Sequence, residues 1–343
     1  MRNRYEFLFG FSFIFLLLFQ AFPLGQSLST DFDSFPLRDA LISRVTEFRL
    51  WAGDRVFHDV LVGPNNWLVY ATNPGMDKFQ NVHPLTDAEL EEYGKSLEDF
   101  QALTQSNGAH LLFVAAPYKN TVYPEYMPPE IHRIGDISRL DQILNYLAVH
   151  LSLQVLDLRP AMSQAKLTSQ IYYSTDTHWN DLGGYAAYHA ILDAVHPNFP
   201  ELSPHPLSDF EIVVQPPKIM DLSFIMGDTS LAEERVQLQL LFKQSSRTDS
   251  MVLPSGRQMN FSRNRNPDLP VALFFHDSFL YSVMPFLSEH FGAAYYVDMM
   301  AGNDMLARAW VEQIDPDIVI IILNEHFLDI LPQLLEKGRP DLD

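Results

Sequence analysis

Two short segments hold side chains suited to nucleophilic chemistry. The first is Thr175-Asp176-Thr177-His178-Trp179-Asn180, between a strand-like run at 171–174 and a helical pattern at 179–195. In extended backbone, residues two apart point the same way, so Asp176 and His178 can meet one environment. A carboxylate beside an imidazole fixes its tautomer and stabilises its protonated form, which a general base requires. The plainer reading is an aspartate that caps a helix beside an ordinary histidine.

The second segment is His276-Asp277-Ser278-Phe279, directly after an apolar run at 271–275. In open α/β sheets, ligands sit at the carboxyl ends of strands, where turns expose side chains and backbone N–H groups. A serine there can be the nucleophile and can also supply an oxyanion donor through its own N–H. The competing use of Ser278 is as a cap for the next helix. Pro285 would fall inside a long helix begun at Ser278, so a short turn is expected there, with the main helix starting nearer Ser282. Asp176, His178, His276 and Asp277 also have the chemistry of zinc ligands, though nothing in their spacing makes them converge, and no metal is expected.

These residues need a scaffold that brings distant strand ends together, and the chain supplies one. Helical periodicity runs from Thr86 to about Ser106, with Thr86 and Glu89 as a capping box. Apolar strand runs lie at 110–116, 154–158, 271–275, 293–297 and 318–323, separated by helical patterns such as 137–151. The alternation predicts an α/β domain over 28–343. A small hairpin is expected within 54–70, around Gly63-Pro64-Asn65-Asn66. The stretch at about 197–270, rich in Pro, Ser and polar residues, fits the alternation poorly and is read as a partly β insertion covering one rim of the site.

Composition narrows the possibilities. The 343 residues hold 23 Lys and Arg against 43 Asp and Glu, a net charge of −20, which disfavours nucleic acid and anionic lipid as partners. With no cysteine, disulfides, thiol nucleophiles and Cys-based metal sites are excluded. Arg2 and Arg4 precede an apolar stretch at 7–25, and Asp31 and Asp33 follow it. At ~1.5 Å per residue the stretch spans roughly 28 Å, close to a bilayer's hydrocarbon thickness. Residues 1–27 are therefore read as a membrane anchor or signal sequence, with the body outside the cytoplasm. An uncleaved anchor is favoured over a cleaved signal, for which only Gly25-Gln26-Ser27 offers a loose processing site.

The G-x-S-x-G elbow of α/β-hydrolases is absent. The chain instead resembles the SGNH-hydrolase-like polysaccharide O-acetyltransferases of the AlgJ/AlgX type, from alginate acetylation. The resemblance rests on Val62-Gly63-Pro64 leading into Trp67-Leu68-Val69-Tyr70, and on the run from Pro117 to Glu125. It continues through Asp176-Thr177-His178-Trp179-Asn180 with Gly183-Gly184, Asp221-Leu222-Ser223, His276-Asp277-Ser278-Phe279 and Pro316-Asp317-Ile318-Val319. His276 stands where a glycine commonly precedes the Asp-Ser pair. The resemblance is greater to the single-domain, membrane-anchored AlgJ type.

It implies an SGNH-hydrolase-like three-layer α/β/α fold with a mostly parallel sheet. It also implies a catalytic Asp176, His178 and Ser278, and acetyl transfer to an exported polysaccharide in the periplasm. The implied donor partner is a membrane-bound acyltransferase, and no cofactor is expected. An acetyl esterase and a non-catalytic glycan-binding scaffold are the alternatives. Lys119, just after the run at 110–116, is a weak candidate for substrate binding, with a surface turn as its default. Trp67 and Trp179 could stack on sugar rings but are more simply packing residues, and His189 is read as structural. Asn260-Phe261-Ser262 matches a glycosylation sequon.

Overall fold

Runs of β-branched and aromatic residues become the buried middle layer of the protein. The computed structural model describes residues 38–72, 75–228, 230–252, 258–300 and 307–336; the apolar stretch at 7–25 lies outside them. Among the described residues, no helix is long and apolar enough to cross a membrane. In chain order the strands are β1 (Val56–Phe57), β2 (Val60–Val62), β3 (Leu68–Tyr70), β4 (His110–Ala116), β5 (Gln154–Asp157) and β6 (Phe210–Ile219). They continue with β7 (Ala232–Leu240), β8 (Ser246–Val252), β9 (Gln258–Asn264), β10 (Val271–His276), β11 (Ala293–Asp298) and β12 (Ile318–Asn324).

The main sheet has the order β5-β4-β12-β10-β11-β9-β8. Its first five strands are parallel, and β9 and β8 extend it as an antiparallel edge. Alternation along each strand feeds two cores. Leu112, Val114, Phe274, Ile320 and Ile322 face one core, which takes in the helix Asp181–Val195. Phe113, Phe275, Val319, Ile321 and Leu323 face the other, covered by the helices Asp87–Ser106 and Arg139–His150. All of β12 is buried, so burial on both sides explains its unbroken apolar sequence. The capping box at Thr86 and Glu89 is formed as expected, and Ser138 with Asp141 makes a second at the start of Arg139–His150.

The structure refines several expectations. The hairpin at Gly63–Asn66 joins β2 to β3, with β1 completing a small antiparallel sheet. Residues 171–174 form no strand: one isolated bridge, Tyr172 to Trp179, is what remains of that expectation. The stretch at 197–270 is less separate than its composition implies. β6 and β7 make a two-stranded ribbon, but β8 and β9 belong to the main sheet, with β9 paired to β11. Their alternating polar residues suit an edge exposed on one side, a pattern that disguises main-sheet strands as loop.

Candidate active site

The segment that precedes the helix Asp181–Val195 is bent rather than extended. His178 N–H donates to Asp176 Oδ1 at 2.9 Å, closing a side-chain turn, and the same oxygen lies 2.7 Å from His178 Nδ1. Asp176 and His178 thus meet because the backbone folds over the carboxylate, a different cause from the strand alternation expected. With Nδ1–H donated to Asp176, Nε2 is the accepting nitrogen, and it lies 2.8 Å from Ser278 Oγ. The structure brings Asp176, His178 and Ser278 into one relay across 100 residues of sequence.

Two ionic groups of opposite sign hold this turn. Lys119 is buried, 1% exposed, and its Nζ donates to the carbonyls of Asp176 (2.6 Å), Ser174 (3.2 Å) and Tyr173 (3.3 Å). The surface position expected for Lys119 does not occur: its ammonium faces backbone carbonyls beneath the turn. On the other side Glu233, from β7, accepts the N–H groups of Ser174 and Thr175, each at 2.9 Å. Burial pushes the Lys119 ammonium down to about 8, against the carboxylates of Asp221, Asp176 and Glu233, which favour its charge.

Ser278 follows β10 and opens the short 3-10 turn Ser278–Ser282, after which Met284–Leu287 forms one α-turn with Pro285 near its start. The short turn is as Pro285 predicts, but the main helix expected from near Ser282 is reduced to that single α-turn. Asp277 anchors it: Oδ1 accepts Phe279 N–H at 2.9 Å and Oδ2 accepts Asn324 N–H at 2.6 Å, at the end of neighbouring β12. Burial raises the Asp277 carboxyl to about 6 despite those two N–H donors. His276 completes β10 in register with Asp298 and Ile322, outside the positive-φ region, so its backbone does not call for glycine. Its buried ring donates from Nδ1 to the Asp277 carbonyl at 2.7 Å.

The close approach of the two segments depends on small residues. A Cβ at Gly183 would lie 2.4 Å from the Ile171 carbonyl oxygen, and one at Gly184 would lie 3.1 Å from Ser282 Oγ. Ser282 Oγ in turn accepts Trp179 Nε1–H at 2.7 Å, linking the histidine turn to the serine turn. Trp179 and Trp67 are both buried and serve as packing residues, Trp67 stacked on Tyr126. His189 sits on the exposed side of its helix, 2.8 Å from Asp193.

Asp221 is the site residue to which sequence reasoning gave no role. Its Oδ2 is 3.7 Å from His178 Nδ1 and accepts the Thr177 hydroxyl, while Oδ1 accepts Thr177 N–H at 2.9 Å. It stands 45 residues from Asp176 within the irregular stretch, so no local spacing points to it. Burial disfavours the His178 cation, but the Asp176 hydrogen bond and charge, joined by Asp221 and Asp277, raise its pKa above the ordinary imidazole value. Burial also works against the Asp176 carboxylate, and the His178 contact holds its pKa below the usual value. Asp221 is raised by burial and by the charge of Asp176. These three residues form, among the described residues, a trio with potential metal-ligand atoms within 4.8 Å of one another. Their facing atoms already hydrogen-bond to each other or through Thr177. His276 is turned to its own strand end and takes no part in that trio.

Ser278 opens onto a cleft of about 250 Å³ lined by His178, Trp179, Tyr281 and Ser282. Residues 60–246 match the family described as SGNH hydrolase-like domain, acetyltransferase AlgX. The chain belongs to this family. The SGNH-like match includes Asp176, His178 and Asp221 and stops before Ser278. A curated relative, the probable alginate O-acetylase AlgJ of Pseudomonas putida, is 26% identical over 180 residues. That match covers 50% of this chain and 43% of the relative, so less than half of the relative's length is spanned.

Among solved structures, Bacillus cereus PatB1 with a sulfonyl adduct superposes with a TM-score of 0.61 at 16% identity, covering 78% of this chain and 95% of that one. The O-acetyltransferase domain of Pseudomonas putida AlgJ gives 0.52 at 19% identity, covering 79% and 92%. At these identities the likeness establishes the fold, which is SGNH-hydrolase-like, with a mixed sheet between helical layers.

Proposed function

We propose that the protein is a serine-dependent O-acetyltransferase that places acetyl groups on hydroxyls of a polysaccharide. The observation that carries this reading is the 2.8 Å approach of His178 Nε2 to Ser278 Oγ, with Asp176 on the opposite ring nitrogen. Family membership and the similarity to a probable alginate O-acetylase support acetyl as the group moved and a polysaccharide as acceptor.

The geometry serves both halves of such a transfer. Ser278 Oγ attacks the donor's acetyl carbon as His178 Nε2 takes the hydroxyl proton. The tetrahedral oxyanion then collapses, and the donor's leaving group departs with that proton. An acceptor hydroxyl next attacks the acetyl-serine, giving its proton to Nε2, and His178 returns it to Oγ. Asp176 holds Nδ1–H throughout and stabilises the imidazolium that forms twice in each cycle. For the oxyanion, the start of a 3-10 turn leaves amides without carbonyl partners in their own turn. Phe279 N–H is occupied by Asp277, so the Ser278 N–H is the backbone donor beside Oγ.

The body works outside the cytoplasm in this reading, in the periplasm and held at the inner membrane by residues 7–25. A membrane-bound acyltransferase delivers the acetyl group. The experiment is acetyl release from a chromogenic acetyl ester, with mass spectrometry of the protein. An acetyl adduct on Ser278, its transfer to added oligosaccharide, and loss of both in Ser278→Ala are expected. Undiminished transfer by a folded Ser278→Ala protein would sink the assignment. Acetyl passing to water even at saturating oligosaccharide would reassign the protein as an esterase.

A further inference from the structure

The cleft at Ser278 does not end at the nucleophile. Tyr281 and Ser282 line it and also line a second, larger groove of about 630 Å³, so the two adjoin. The far wall of that groove is the end of β7 and the residues after it, and the near wall is the segment that follows Ser278. Its volume falls in the range of about 300–1,000 Å³ typical of small-molecule sites, and it is open to solvent on one side, as a site for part of a polymer must be.

Its lining has a defined chemistry. The lining includes the exposed residues Gln237, Gln239 and Gln244, whose amides can donate and accept hydrogen bonds; Gln237 Oε1 already accepts from Gln215 Nε2 at 3.1 Å. Phe242 and the half-exposed Tyr281 add aromatic surface. Among the described residues, no lysine or arginine lines either cavity. Apart from His178 and Tyr281, the one ionisable lining residue is Asp181, whose Oδ2 accepts Leu238 N–H at 2.9 Å. Arg235 and Lys243 lie outside the lining, although the Arg235 charge reaches Asp181 and favours its carboxylate. A sugar carboxylate in this groove would lose water and meet the Asp181 carboxylate, which already takes up the Arg235 charge, with no lining cation to pair with among the described residues. Hydroxyl-rich rings without charge would find amide partners for their edges and aromatic surface for their C–H faces.

We propose that this groove is the acceptor site and that it takes a chain of uncharged sugars. The proposal rests on the acetyl-transfer reading for its function, but binding can be measured without turnover. Calorimetry on the full chain would compare a neutral hexasaccharide panel, cellohexaose and N-acetylchitohexaose, with a mannuronate hexamer. At least one neutral sugar should bind, with the uronate ten or more times weaker. Gln239→Ala and Phe242→Ala should each weaken neutral binding by threefold or more, and Gln239→Lys should narrow the gap to the uronate. Uronate binding as tight as that of the neutral sugars would overturn the proposal. So would absence of any neutral binding, or binding indifferent to both alanine variants. An acetyl adduct on Ser278, assayed in the same preparation, separates failure of the groove from failure of the acetyl-transfer reading. Adduct without sugar binding overturns the groove alone.

Discussion

Asp277 Oδ2 accepts the backbone N–H of Asn324 at 2.6 Å, fastening the turn that carries Ser278 to the end of the neighbouring strand. Ser278 is therefore placed by a cross-strand bond as well as by its own chain. Asp277 does not touch Ser278 Oγ; it acts by fixing where that oxygen sits.

Asp277→Asn keeps the shape but replaces one acceptor oxygen with a donor, so one of two buried N–H groups loses its partner. A destabilisation of about 1–3 kcal/mol is expected in denaturant titration. The rate of Ser278 acetylation should fall with it, while Asp277→Ala should fall further. Wild-type stability with an unchanged acetylation rate in Asp277→Asn would contradict the positioning role.

The acid limb of kcat/KM should report His178, because only its neutral form accepts the Ser278 proton. Its pKa is raised, so the limb should fall above pH 6.5. Each unit of pH below it costs about tenfold. Asp176→Asn removes the largest favourable contribution to the cation, and the limb should move to lower pH while the maximal rate drops by roughly 10³–10⁴. Asp221→Asn should also move the limb down, by less, since Asp221 stands 3.7 Å from Nδ1. A limb unmoved in Asp176→Asn would show that another group controls it.

Lys119→Met removes the ammonium beneath the histidine turn and leaves the carbonyls of Tyr173, Ser174 and Asp176 without their shared donor. Activity should fall at least tenfold at neutral pH in a protein that remains folded by circular dichroism. The folded-state pKa of about 8 is below the ordinary lysine value, so the unfolded chain binds more protons between them. Lys119 is therefore least costly to stability at high pH, and the cost grows as pH falls from the ordinary lysine value of 10.5 to about 8, below which it is complete. The stability of wild type relative to Lys119→Met should rise with pH over that window. A difference that falls with pH there would rule out the depressed pKa.

Gly183→Ala places a Cβ 2.4 Å from a backbone oxygen that has no rotamer to escape into. A loss of about 1–3 kcal/mol is expected in thermal or denaturant unfolding. Gly184→Ala meets the movable Ser282 hydroxyl at 3.1 Å and should cost less stability. The reverse order would mean that the helix start shifts more freely than its contacts indicate.

The parallel strands were legible because burial on both faces writes long apolar runs into the sequence, as at β4 and β12. Asp176, His178 and Ser278 were legible as residue types at strand–helix junctions. Their contact with one another required the fold. Glu233 was not legible, and Asp221 stood only as part of Asp221-Leu222-Ser223 with no role attached: both reach the site by tertiary packing, and a lone acidic residue carries no periodic signal. Lys119 was misplaced because lysine is normally exposed, and here backbone carbonyls together with the carboxylates of Asp221, Asp176 and Glu233 make its burial tolerable.

The order of the sheet has a consequence for how the protein comes into being. β12 is the latest strand in the described sequence, yet it lies between β4 and β10. Until it arrives, β4 and β10 each offer an unpaired edge and Asp277 lacks the Asn324 amide. A chain delivered from its amino end thus carries every reactive side chain of the site long before the site exists. Assembly is a late, long-range closure, with the slow kinetics that such pairings impose. Partly delivered chains should be catalytically silent, and most exposed to edge-to-edge aggregation, just before that strand emerges.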